Sequence, residues 1–113
     1  MKHEMKLREI YFNKIKIGEK IYEIRLNDEK RQLINVGDFI IFKKEPLLED
    51  VIETEVVELL HFKTFKEMAS NILPKEIGFD NHSIDDIVKV YHQFYSTEDE
   101  KKFGVLAIKV KII

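Results

Sequence analysis

From Gly104 to Ile113 the chain reads GVLAIKVKII, with Leu106, Ile108, Val110 and Ile112 on one face and Val105, Ala107, Lys109 and Lys111 on the other. A period of two this regular specifies a core strand, because helical apolar residues recur every three to four positions instead. A second alternating run, IETEVVELLHF, sets Ile52, Thr54, Val56, Glu58 and Leu60 on one face. The acid at Glu58 breaks the apolar series and predicts a bulge or an exposed strand end there. Whatever this chain folds into must therefore be organised around a sheet.

Shorter strands are predicted at HEMKLR (residues 3–8), KIYEIRL (20–26) and FIIFKK (39–44), the last announced by the tight turn NVGD. Between the first two, residues 9–17 place Ile10 and Ile15 at helical intervals and run into Gly18, where a left-handed residue ends a helix. TFKE (Thr64 to Glu67) and SIDD (Ser83 to Asp86) resemble capping boxes. After the second, Ile84, Ile87, Val88 and Tyr91 follow the 3.6 period, with Phe94 or Tyr95 continuing the stripe. STEDEKKFG predicts one more helical turn, capped at Ser96 or Thr97 and ended by Gly104. The expected architecture is one α+β domain over residues 1–113, a small curled or closed sheet with two or three short peripheral helices.

Composition removes several chemistries. The 113 residues include no cysteine, which excludes disulfides, thiolate zinc sites and a cysteine nucleophile together. Four widely spaced glycines form neither a phosphate-cradling loop nor a dinucleotide fingerprint. The histidines at positions 3, 61, 82 and 92 lack metal-ligand spacing, so no metal or other cofactor is expected. Ser83 and Ser96 are better explained as helix caps than as nucleophiles. No apolar run approaches the ~18 residues of a membrane span, and the N-terminus lacks a signal-like apolar region, so a cytoplasmic protein without membrane contact is expected.

The formal charge of -2 conceals segregation: residues 1–44 carry +4, residues 45–100 carry -10 and residues 101–113 carry +4. Basic ends around an acidic middle gather a positive patch if the first and last strands are neighbours. The same distribution is met by helices and loops that use acids for capping and solubility.

The stretch GEKIYEIRLND, Gly18 to Asp28, raises the functional question. In a regular strand Glu23 and Arg25 share one face roughly 7 Å apart, while Tyr22, Ile24 and Leu26 face the core. Lys20 sits at the strand entrance, where a twist after Gly18 turns it to either side. Two readings stay open. One is a solvated face with a weak Glu–Arg pair. The other is a cleft in which Arg25 holds a phosphate or carboxylate, Lys20 adds a point charge or accepts a proton, and Glu23 accepts a hydrogen bond or polarises water.

The order YFNKIKIGEKIYEIRLND, VGDFIIF, YHQFY and FGVLAIKV resembles the ASCH domain family, with a fold related to the PUA domain. The likeness runs from about Met5 to the C-terminus. Its most specific element is G-x-K-x-x-E-x-R, met by Gly18, Lys20, Glu23 and Arg25. The resemblance implies a PUA-like β-barrel with a cleft lined by that strand, holding RNA or a nucleotide or nucleoside. Lys16, Lys20, Glu23, Arg25 and Tyr95 are the expected ligand contacts, with Lys14, Lys109 and Lys111 adding phosphate attraction and Tyr22 and Tyr91 as further stacking candidates. One branch of similar small proteins is an amidohydrolase that deacetylates N4-acetylcytidine with a lysine, a threonine and an acidic residue. Its lysine falls on Lys20 and its acid near Asp80, but Glu23 stands where that branch has threonine. A hydrolytic role here would use Lys20, Glu23 and Asp80 differently, with Lys20 as general base and a carboxylate orienting water.

Overall fold

In the computed structural model, which describes residues 1–113, the strands are β1 (Lys2–Leu7), β2 (Tyr22–Leu26), β3 (Phe39–Lys44), β4 (Val51–Phe62) and β5 (Val105–Ile112). They form one five-stranded sheet of order β1-β3-β4-β5-β2, curled into a half-barrel. The β1–β3 pair is parallel and the rest are antiparallel. The helices are α1 (Glu9–Lys16), α2 (Phe65–Asn71), α3 (Ile84–His92) and α4 (Thr97–Phe103), with 3-10 turns at Arg31–Leu33 and Pro74–Ile77. Four helices form where two or three were expected, because each of the caps foreseen at Thr64, Ser83 and Ser96 accepts a backbone N–H three residues on and starts its own helix. No helix is long and apolar enough to cross a membrane.

The alternation of β5 separates two cores. Leu106, Ile108 and Val110 pack with Met5, Phe12 and Phe42 on the side covered by α1. Val105 and Ala107 pack with Ile24, Phe65 and Ile87 on the side covered by α2 and α3. Both faces of this strand are thus buried over most of its length, and its lysines enter only toward the far end.

At Glu58 the sheet carries the expected irregularity. Val56 pairs with Val110 and Glu58 with Lys109, so Val57 is the extra residue of a bulge. Before it, Ile52 and Val56 join the α1-side core; after it, Leu59 turns to that core while Leu60 and Phe62 turn to the other. Glu58 accepts a hydrogen bond from the Tyr22 hydroxyl at 3.1 Å.

The first and last strands are not neighbours, since β1 is an edge and β5 lies between β4 and β2. The basic ends of the sequence therefore do not merge into one patch. Lys109 lies over the Tyr22 ring at 5.8 Å, and Lys111 pairs with Glu55 at 3.6 Å. What does meet across the curl is the pair of edges, β1 and β2. No backbone ladder joins them, but the Arg25 guanidinium of β2 donates to the Lys6 carbonyl of β1 at 3.2 Å.

Candidate functional site

Gly18 adopts φ +83 and lets α1 end in a reversal, its N–H donating to the Ile15 carbonyl. The chain then turns Lys20 inward, leaving it 3% exposed. Three acceptors meet its ammonium: the Tyr22 carbonyl, the Ile77 carbonyl at 3.2 Å and Glu23 Oε1 at 3.1 Å. An ammonium has three N–H donors, so all of them are engaged. Burial lowers the Lys20 pKa, and the Glu23 charge offsets part of that effect.

Glu23 lies opposite Ile108 and Arg25 opposite Leu106 in the β2–β5 register, so both side chains project to the face those residues share. Glu23, 6% exposed, holds Lys20 with Oε1 and Arg25 Nε with Oε2 at 2.8 Å. Burial by itself would raise its pKa, but Lys20 and Arg25 together outweigh burial and keep it lowered. The carboxylate is therefore ionised and enclosed by two cations. Arg25 uses two of its five N–H groups, one on Glu23 and one on Lys6, and three remain without a protein partner.

These groups open into a cleft of about 230 Å³ at the seam between β1 and β2. Its charged lining comprises Lys6, Arg8, Lys20 and Arg25 against Glu23 and Glu45, an excess of cations. The remaining wall is largely aromatic: Tyr11, Phe79, Tyr91, Phe94 and Tyr95. Phe65 lies behind this wall, stacked on Tyr91 at 4.8 Å and 2° and on Tyr95 at 5.6 Å and 20°. Tyr91 leans in turn on Phe79. Burial, and next the charge of Glu23, raises the Tyr91 pKa well above its ordinary value, so its hydroxyl stays protonated and able to donate. Arg31, in the 3-10 turn after β2, has its pKa lowered by burial and then by the nearby Arg25 charge.

Gly78 makes the floor possible. It adopts φ +90, and a Cβ there would lie 3.2 Å from both the Lys20 stem and the Tyr11 ring. Its carbonyl accepts from Lys14 Nζ at 3.0 Å, and the same ammonium pairs with Asp80 at 2.8 Å.

Of the residues singled out in the sequence, the fold brings Lys20, Glu23, Arg25, Tyr91 and Tyr95 to one cleft. Lys16 stands exposed in the last turn of α1, outside the cleft lining. Asp80, its side chain 43% exposed, faces Lys14 and not the Lys20–Glu23 pair. Tyr22 faces Glu58 and Lys109 on the opposite side of β2. Arg8, Tyr11, Phe79 and Phe94 escaped the sequence reading. Arg8 and Tyr11 open α1, Phe79 follows the second 3-10 turn and Phe94 follows α3, and only the curl of the sheet collects these three segments. No group of three or more His, Asp or Glu side chains is arranged to hold a metal ion.

Residues 5–113 match the family model for the ASCH domain. The crystal structure of hypothetical protein PH0355 is 42% identical in sequence, superposes with a TM-score of 0.89 and is matched over 100% of both chains. The solution NMR structure of protein PF0455 from Pyrococcus furiosus is 33% identical, with a TM-score of 0.79 over 100% of this chain and 98% of that one. The crystal structure of an ASCH domain from Lactobacillus crispatus is 12% identical, with a TM-score of 0.76 over 98% of this chain and 79% of that one, a likeness of fold alone. No curated protein gives a significant match.

Proposed function

The chain belongs to the ASCH domain family, and from that premise we propose that it binds RNA or a nucleotide in the cleft beside Lys20, Glu23 and Arg25. The carrying observation is the division of labour between buried Lys20 and half-buried Arg25. Lys20 has every donor engaged inside the protein and holds the floor together, whereas Arg25 keeps three N–H groups free at the cleft. A guanidinium so placed suits a phosphate or a base carbonyl, and the aromatic wall suits the faces of a nucleobase. The cleft lies just below the roughly 300–1,000 Å³ of drug-sized sites, in keeping with a base or a single nucleoside as the enclosed part.

The same geometry favours binding over hydrolysis. A general base must offer a lone pair, and the Lys20 nitrogen is directed at three acceptors. The acid at Asp80 is paired with Lys14, away from that nitrogen.

Titration with short single-stranded RNA and with nucleoside monophosphates at low salt tests the reading. Affinity is expected to fall with rising salt and to drop about tenfold or more in Arg25→Ala, the loss of a charge-assisted contact. Absence of binding to any of these ligands overturns the proposal. Release of free cytidine from N4-acetylcytidine, abolished by Lys20→Ala, would replace it with the hydrolytic alternative.

A further inference from the structure

The turn that follows α3 separates two adjacent aromatic residues, Phe94 and Tyr95. Phe94 N–H and Tyr95 N–H both donate to the Tyr91 carbonyl, at 3.0 and 2.9 Å, which fixes the backbone of both. Tyr95 turns inward and stacks on Phe65, while Phe94 turns outward and remains 53% exposed. Only one charged group covers its ring: the Arg8 guanidinium, with Cζ 4.7 Å from the ring centroid. Arg8 has no carboxylate within ion-pair distance, and it comes from the junction of β1 and α1 on the other side of the seam. Both side chains stand at the mouth of the cleft.

An exposed aromatic ring held in a fixed turn beside an unpaired guanidinium is the pair of elements that single-stranded nucleic acid requires: a face on which a base stacks and a cation for its phosphate. Resting on the reading of the cleft as a nucleotide site, we propose that Phe94 and Arg8 receive the next nucleotide of a single-stranded RNA whose neighbouring base occupies the cleft. The natural ligand is then a strand rather than a free mononucleotide, because a mononucleotide filling the cleft has no second base for the outer ring. In the free protein the guanidinium lies on the ring where a base would stack. Stacking moves Arg8 off the ring and toward the phosphate between the two nucleotides, close to Arg25 across the same opening.

The full chain is titrated with an equimolar mixture of the four nucleoside monophosphates and with a mixed-sequence RNA trinucleotide, at one low salt concentration, as wild type, Phe94→Ala and Phe94→Tyr. The wild type is expected to bind the trinucleotide more tightly than the monophosphates. Phe94→Ala is expected to lower the ratio of trinucleotide to monophosphate affinity about tenfold, the effect of removing one stacked base, and Phe94→Tyr to restore it. A ratio unchanged in Phe94→Ala, with monophosphates still bound by the wild type, overturns the outer platform and leaves the cleft reading standing. Failure of the wild type to bind either probe overturns both.

Discussion

Glu23 and Glu100 are both buried carboxylates, 6% and 7% exposed, and each joins distant parts of the chain, yet they are satisfied in opposite ways. Glu100, in α4, accepts the Phe65 N–H at 2.7 Å, the first backbone donor of α2, and lies 2.9 Å from His92 Nε2 at the end of α3. Its partners are a backbone dipole and an imidazole, which fasten three helices. Glu23 has two full cations as partners and faces the cleft. A carboxylate that only fastens helices needs hydrogen bonds; one that holds a buried ammonium in place beside an available guanidinium needs its charge.

That contrast is sharpest under the change from carboxylate to amide. Glu23→Gln keeps the shape but leaves Lys20 buried without a counter-ion, and breaking a buried pair in this way costs about 3–5 kcal/mol. Against a total of roughly 5–15 kcal/mol for an ordinary domain, the variant should lose a large part of its stability, read from the midpoint and slope of urea unfolding. Glu100→Gln retains a carbonyl oxygen for the Phe65 N–H and should cost about 1 kcal/mol by the same measurement. Equal losses in the two variants would show that the two carboxylates are held in the same way.

A third acid, Asp38, is 9% exposed and answers to pH. Asp38 follows the turn glycine Gly37; its Oδ2 lies 2.9 Å from His3 Nε2 and accepts the Asn35 N–H at 3.0 Å. These bonds, His3 first, hold its pKa down from the ordinary 3.8 to about 2. With the folded pKa below the unfolded one, the unfolded chain takes up the proton first. The stabilisation from Asp38 is therefore complete above about pH 4 and lost as the pH falls toward 2. Asp38→Asn should flatten the acid limb of the stability curve in that window. An unchanged acid limb would assign the acid sensitivity to other carboxylates, Glu23 foremost.

The sequence disclosed what lies within single elements. The period of two in GVLAIKVKII identified β5, and the mismatch at Glu58 located the bulge to within one residue. The helix starts at Thr64, Ser83 and Ser96 followed from local capping chemistry. The side to which Lys20 turns was not legible, because it depends on Ile77 and Gly78, more than fifty residues away, approaching closely enough to accept its proton and accommodate its stem. Phe94 was legible only as a continuation of the apolar stripe of α3, and nothing local linked it to Arg8. Their meeting depends on the strand order, which leaves β1 and β2 as facing edges, and no periodicity along the chain encodes which edges will face.

The bulge at Val57 gives β4 two reading frames. Up to Val56 the even-numbered residues enter the α1-side core, and beyond the bulge the odd-numbered Leu59 does, while Leu60 and Phe62 pack on the other. Val57 itself is 36% exposed, belongs to neither core and has no partner on β5. Deleting this one residue would make Val56–Val110 and Glu58–Lys109 successive pairs of a regular ladder, in which Leu59, Leu60 and Phe62 keep the sides they now have. What this residue contributes to the fold is therefore neither a packed side chain nor the facing of its neighbours, but the local bend and added twist with which β4 follows the curl of the sheet.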